Sequence, residues 1–377
     1  MKKKIIIIGS GIAGLTLANI LKNNSNYEFT IYEKRDALIL SEGYGIQLSI
    51  NSVSILNQLG FNKFNLIDKY HPINIDFYKI NFKKICDLNI SSFNEKENKY
   101  TSLKRSKLIN FLYNNVPSKS IRFGKKVVNI EKANNRIKIK FNDGSNDIAD
   151  YLVVSDGTFS NTRSIINKEE IIPSYYGSIA IRTSLRSEKI YEIDSRNISL
   201  IMGSNTHIVL YPVNQKKEIN IICIIRQKLI AEEPPINILK KTIFKENINL
   251  SRLFKGELKS WPIYTSKKIF KSDNKNIFFI GDAFYTFPPT MAQGASQSIE
   301  SANEIFKLLE KKENNVQEEY FTYRKKRTNQ IKIRSSINYF IFHISNPILK
   351  ALRNLILKIA IKNKLFNKFY LGNIFRK

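Results

Sequence analysis

Apolar runs broken by glycine mark out the chain. Four isoleucines at 5–8 meet Gly9, and the pattern then turns helical through Leu15, Leu17, Ala18 and Leu21, which predicts strand, tight turn and helix. The run FTIY (29–32) predicts the next strand, closed by Glu33. Arg105 opens a helical pattern with apolar Leu108, Ile109 and Leu112, and YLVV (151–154) and IFFI (277–280) are strands running into Asp156-Gly157 and Gly281-Asp282. Between 72 and 98 and between about 171 and 270 the period drops to two, as in HIVLYPV and INIICIIR, which predicts antiparallel strands with one face on a core. The tail returns to helical spacing at Ile348, Leu352, Leu355 and Ile359, with Lys350, Arg353, Asn354, Lys358 and Lys362 between them.

With 377 residues, 42% of them hydrophobic, the chain has enough apolar material for a large core without staples. Cys86 and Cys223 have neither the number nor the spacing for a disulfide framework or a zinc site, so no metal site and a reducing, cytoplasmic home are expected. No run approaches the roughly 20 apolar residues of a spanning helix, and the opening MKKKIIIIG is a first strand rather than a signal peptide, so a soluble or peripheral protein is expected. The net charge of +29 comes with lysine, isoleucine and asparagine abundant everywhere, a global bias rather than a nucleic-acid patch, so no nucleic-acid partner is expected. One local signal stands out: from Tyr320 onward there are 14 lysines and arginines and no acid. The plain expectation for the tail is a helix with its apolar stripe on the protein body and lysines outward. The alternative is peripheral contact of residues 339–377 with an anionic membrane, on the inner face.

Gly9, Gly11 and Gly14 form GxGxxG between a strand and a helix, and Glu33 follows 19 residues after Gly14. In a dinucleotide fold the first glycine permits the turn, the second admits the pyrophosphate, the third lets helix meet strand, and the acid takes ribose hydroxyls. The motif by itself does not separate FAD from NAD.

Three further segments, 43–60, 151–163 and 277–302, with TSLKRSKLINFL (101–112) between the first two, make the chain resemble the single-component FAD-dependent aromatic hydroxylases of the p-hydroxybenzoate hydroxylase fold. Salicylate-hydroxylase-like and ubiquinone-biosynthesis hydroxylases are among them, and the resemblance covers about residues 1 to 320. It implies an α/β fold: a Rossmann-like FAD-binding domain (1–71, 99–170, 271–320), an inserted antiparallel-sheet substrate domain (72–98, 171–270) and a basic C-terminal helical segment (321–377). By the same resemblance Asp282, after Gly281, binds the flavin ribityl chain, and Pro288 and Pro289 stiffen the loop under the isoalloxazine. Gly294 starts a helix whose N-terminus holds charge on the reduced flavin. Asp156 and Gly157, with Ser160 and Arg163 completing DGxxSxxR, lie near the pyrophosphate, and Arg105 touches phosphates or ribityl. NAD(P)H binds transiently, consistent with a single GxGxxG.

The implied activity is hydroxylation of a phenolic ring with NAD(P)H and O₂ through a C4a-hydroperoxyflavin, which needs no protein nucleophile, so no catalytic side chain is assigned. Tyr211, Arg182 and His207 are candidates for the substrate wall, and the three histidines show no triad spacing. Two alternatives stand beside this: a membrane-associated hydroxylase of a polyprenyl phenol, and a non-catalytic FAD-binding protein. The second rests on Phe284-Tyr285 where the family often has Ala-His, expected beside the flavin; Ser301 likewise replaces a usual aspartate. Halogenases of the same fold carry WxWxI, whereas the single tryptophan here, Trp261, precedes a proline.

Overall fold

Ile5 to Ile8 have almost no exposed surface, as expected of a strand covered on both faces. The computed structural model describes residues 2–40, 44–230, 233–311 and 315–375. Among these residues Lys3–Ile8 is the centre of a five-stranded parallel sheet, in the spatial order Ile277–Phe279, Tyr151–Val154, Lys3–Ile8, Tyr27–Tyr32 and Ile121–Arg122. The helices Ile12–Leu21 and Gly294–Glu310 pack together beside it. A three-stranded antiparallel sheet (Val127–Ala133, Arg136–Phe141, Asn146–Ala149) precedes the strand Tyr151–Val154.

The alternating segments form one seven-stranded sheet in the order Lys259–Thr265, Ser174–Arg186, Glu218–Arg226, Thr206–Pro212, Ile198–Met202, Asn74–Lys79 and Lys84–Asn89. Every neighbouring pair is antiparallel except Ile198–Met202 beside Asn74–Lys79. Alternation sends Ile208, Leu210, Ile221 and Cys223 to one face. There they meet Pro235–Lys241, Ile243–Glu246 and a 3₁₀ segment Ile248–Phe254, helical pieces that the period-two reading of 171–270 did not separate from the strands. Leu200, Met202, Val209 and Tyr211 face the other way, onto Ile331, Phe342, Leu371 and Phe375 of the C-terminal helices. The α/β arrangement with a large, mostly antiparallel second sheet and a helical C-terminus is borne out.

Two features differ from expectation. The helix Pro347–Ala360 turns its apolar stripe outward: Ile348, Leu352, Leu355 and Ile359 are exposed, while Arg353 is only 6% exposed. The reason is local, because the preceding helix Val316–Phe342 ends with the Ile341 carbonyl in need of a donor, which Arg353 Nη1 supplies at 3.3 Å. His207 and His343, 136 residues apart, also meet, with Nδ1 and Nε2 separated by 2.8 Å. No helix among the described residues is long and apolar enough to cross a membrane.

One buried ionic cluster joins the helices. Glu300 is fully buried and accepts from Arg324 Nη1 at 3.2 Å, Arg327 Nη2 at 2.7 Å and Asn51 Nδ2. Arg327 Nη2 also donates to the Ile374 carbonyl at 2.6 Å, which ties the chain's last turn to this cluster. Removing the carboxylate would strand two buried guanidinium groups. Glu300→Ala should therefore lose about 3–5 kcal/mol of unfolding free energy, measured by chemical denaturation.

Candidate functional site

Three parallel strands end side by side, with Ile8 opposite Val154 and Val154 opposite Phe279. The loops that follow them, which carry Gly9–Gly11, Asp156-Gly157 and Gly281-Asp282, must therefore gather at one edge. This is the edge where open α/β sheets bind ligands. A surface hollow of 1850 Å³ lies at the opposite edge, lined by Lys3, Tyr151 and Ile277 where the strands begin, and it takes no part in the site.

Helix and strand approach closely here. A Cβ on Gly14 would lie 2.1 Å from the Gly9 carbonyl oxygen, and one on Gly9, whose φ is +101°, 2.7 Å from the Ser155 carbonyl. A Cβ on Gly11 would meet nothing within 4 Å, so the space before the N-terminus of the helix Ile12–Leu21 is open. Glu33 stands at the end of the strand Tyr27–Tyr32 and accepts from the Ser10 amide at 2.9 Å and the Ser10 hydroxyl at 2.8 Å. It thus fixes the glycine turn as well as facing the edge.

The two aspartate loops interlock. Thr158 Oγ1 donates to Asp282 Oδ2 at 3.5 Å, and Thr286 Oγ1 donates to the Asp282 carbonyl at 3.1 Å and to Thr158 Oγ1 at 3.2 Å. Arg163, buried over the Phe270 ring, donates to the carbonyls of Thr158 at 2.8 Å and Ala283 at 3.2 Å. Ser160 caps the helix Asn161–Asn167. Asp156 takes the Thr162 amide on Oδ2 at 3.3 Å, while its buried Oδ1 has no partner, and burial raises its pKa. Arg105 begins the helix Arg105–Asn114, its amide bonded to the Tyr44 carbonyl at 2.8 Å and its charge within reach of Asp282. Ser10, Thr158 and Thr286, absent from the sequence reading, are hydroxyls at positions that no motif spacing marks.

Pro289 opens a one-turn 3₁₀ segment, Pro289–Met291, and Gly294 opens the helix Gly294–Glu310 with open space at its Cβ position. The turn is held from behind, where Thr290 Oγ1 donates to the Ser335 carbonyl at 2.6 Å. Across from it, the Arg182 guanidinium lies 5.5 Å from the Tyr44 ring centroid and 5.8 Å from that of Trp261, and its buried Nε has no partner. Tyr211 is buried, and a Cβ on Gly45 would fall 2.7 Å from its ring, so the sheet touches the Gly45–Leu48 strand here. His207 is no wall residue: Phe342 and His343 cover it. Phe284 also departs from expectation, because it turns into the helical layer edge-on to Tyr320 and Phe321. Tyr285 is buried against Phe287. Ser301 takes the place of the usual acid by accepting the Gly281 amide at 3.0 Å.

Burial raises the Asp282 pKa to about 6, against the opposing pull of Thr158, Arg105 and Arg163. The folded carboxyl then keeps its proton where the unfolded one, with a pKa of about 4, has lost it. Its ionisation therefore costs stability, a cost absent below about pH 4 and complete above about pH 6. In ligand-free protein Asp282→Asn should raise unfolding free energy by on the order of 1–2 kcal/mol at neutral pH and give no gain in acid, as checked by denaturation across pH.

Residues 2–332 match the family described as FAD binding domain. A "FAD-dependent monooxygenase" of Gibberella moniliformis is 25% identical over 81% of this chain and 76% of its own length. The salicylate hydroxylase of Pseudomonas putida is 21% identical over 81% and 76%. Among solved structures, Klebsiella pneumoniae HpxO complexed with FAD and uric acid superposes with a TM-score of 0.83 at 18% identity, covering 99% of this chain and 97% of that one. A salicylate hydroxylase substrate complex gives 0.77 at 17% identity, covering 98% of each chain. With the match extending over most of its length, the chain belongs to the FAD binding domain family.

Proposed function

We propose that this protein is an FAD-dependent monooxygenase that uses NAD(P)H and O₂ to hydroxylate an aromatic ring. The observation that carries the reading is the gathering of the glycine turn, both aspartate loops and the Pro289–Gly294 turn at one sheet edge, facing the Arg182 side of the large sheet. The residues present fit FAD: the open space before Gly11 and Gly294 admits backbone approach, and the unpartnered Asp156 Oδ1 and the Asp282 carboxyl await donors. When bound there, FAD would supply the redox chemistry of hydride acceptance from NAD(P)H and O₂ activation.

In this reading the N-terminus of the helix Ile12–Leu21 receives pyrophosphate charge with Gly9, Gly11 and Gly14 shaping the turn, and Glu33 takes ribose hydroxyls. Asp282 and Arg105 hold the ribityl and phosphate portions, and Asp156-Gly157 borders them. Pro289 and Gly294 position the ring system. The parallel sheet with its helices would serve as the cofactor half and the seven-stranded sheet as the substrate half. Arg182, flanked by Tyr44 and Trp261 with an unused Nε–H, is suited to the anionic group of a flat aromatic acid. Relatives include a 6-methylsalicylate 1-monooxygenase of Aspergillus terreus, 23% identical, and the salicylate hydroxylase, which supports a carboxylated phenol. The apolar surroundings formed by Ile222, Ile224 and Ile263 on the same sheet exclude water from the reacting ring. With Phe284 packed into the helical layer, the ground for a non-catalytic flavoprotein weakens.

The test is anaerobic reduction of the FAD-loaded protein by NADPH and NADH in the presence of a panel of hydroxybenzoic acids. At least one acid should accelerate reduction tenfold or more and yield a hydroxylated product in air; a panel that neither speeds reduction nor gives product would overturn the reading. Arg182→Met should raise KM for that acid by about 10- to 100-fold, the worth of a charged hydrogen bond, with a smaller change in kcat. An unchanged KM would remove Arg182 from the substrate site.

A further inference from the structure

The helix Pro347–Ala360 turns most of its apolar stripe outward. Leu357, with Ile361 beyond it, packs inward on the core, but the other inward contacts are polar: Arg353 donates to the Ile341 carbonyl at 3.3 Å and to Asn354 Oδ1 at 3.0 Å, and Lys350 reaches Ser204 Oγ at 2.6 Å and Glu246 at 3.8 Å. Ile348, Leu352, Leu355, Ile356 and Ile359 face outward and are between 50% and 78% exposed. Leu365 and Phe369 continue the apolar surface, as do Ile333, Ile337 and Phe340 on the helix Val316–Phe342. These segments touch one another, since Arg334 Nη2 donates to the Phe369 carbonyl at 2.9 Å and Tyr370 to Asn338 Oδ1 at 2.6 Å. Apolar surface gathered in this way marks an interaction site.

Charge identifies the occupant. Lys358, Lys362, Lys364 and Lys368 are exposed along the same stretch, and no acid occurs from Tyr320 onward. Two copies joined through this face would bring those lysines together with no carboxylate of the segment to answer them, a costly arrangement in a water-poor interface. The pattern complements a surface that is apolar inside and anionic at its rim. A bilayer interface is such a surface, with acyl chains for the leucines and isoleucines and acidic headgroups for the lysines. We infer that the outward faces of residues 333–369 seat the protein peripherally on an anionic membrane, without crossing it. Of the seated face, Ile333, Ile337 and Phe340 are exposed on the helix whose buried Ser335 and Asn338 support Thr290 and Met291, so this part of the membrane contact lies about one helix diameter, roughly 10 Å, from the Pro289–Gly294 turn.

Flotation of the FAD-loaded full-length protein with vesicles tests this. Vesicles of phosphatidylcholine mixed with phosphatidylglycerol should carry the protein, whereas pure phosphatidylcholine should bind at least tenfold more weakly and high salt should reduce binding. The triple variant Leu352→Glu, Leu355→Glu, Ile359→Glu should lose at least tenfold in vesicle binding while keeping the flavin spectrum and melting temperature of the parent. Three results would overturn the inference: no flotation with the mixed vesicles, a triple variant that floats as well as the parent, or a parent dimer in solution that the triple variant splits, which would assign the face to a second copy.

Discussion

The contact of the helix Ile12–Leu21 with the strand Lys3–Ile8 governs the rest of the site. With the Gly9 carbonyl 2.1 Å from where a Gly14 Cβ would stand, no larger residue fits at position 14 without prising helix from strand. Ser155 clamps the same point from the neighbouring strand, its hydroxyl donating to the Ile8 carbonyl at 2.7 Å and the Gly9 carbonyl at 3.1 Å. The register of Tyr151–Val154 against Lys3–Ile8 follows, and through it that of Ile277–Phe279. A slip of one residue would move an aspartate loop by about 3.3 Å and turn its strand's side chains to the wrong face. The positions of Asp156 and Asp282 are thus consequences of a glycine contact made more than a hundred residues earlier in the chain.

The charge pattern around that edge is the reverse of the chain's average. In a protein of net charge +29, Glu33, Asp156 and Asp282 gather where three strands end. Each acid is moderated by a different neighbour: Ser10 hydroxyl and amide for Glu33, the Thr162 amide for Asp156, and Thr158 with Arg105 and Arg163 for Asp282. The surrounding positive field favours the approach of anions, and in the proposed function the acids inside would take hydroxyl groups.

The parts of the site closest to strand ends were legible in the sequence because strand geometry leaves them little freedom. Gly9, Gly14, Asp156 and Asp282 each sit within two residues of an apolar run or on the first turn of a helix, so local pattern alone places them. The Arg182, Tyr44 and Trp261 cluster is different, since it is assembled from three segments whose spacing carries no period. His207 and His343 meet only because the end of a 27-residue helix happens to lie over a strand, which no spacing rule can show. The helix Pro347–Ala360 misled for another reason: an apolar stripe indicates a face to be covered but not what covers it, and the inward contacts of Arg353 with the Ile341 carbonyl and of Lys350 with the distant Ser204 could not be read from spacing.

The departures from the family pattern at 284 and 301 bear on this frame rather than on the front of the site. Ser301 Oγ accepts a hydrogen bond from the Gly281 amide and its hydroxyl donates one to the Ser298 carbonyl at 2.8 Å, so the turn before Asp282 is held by a neutral group. Phe284 anchors the same turn to Tyr320 and Phe321 at the start of the helix Val316–Phe342. Further along, Ser335 and Asn338 of that helix hold Thr290 and Met291. Two turns of the candidate site, one at Gly281-Asp282 and one at Pro289–Met291, therefore lean on one helix. The ring at position 284 pins the Asp282 turn to that helix through its edge-on contacts with Tyr320 and Phe321. A smaller residue there would remove both ring contacts and leave the hydrogen bonds of the turn, such as that from the Gly281 amide to Ser301 Oγ, in place.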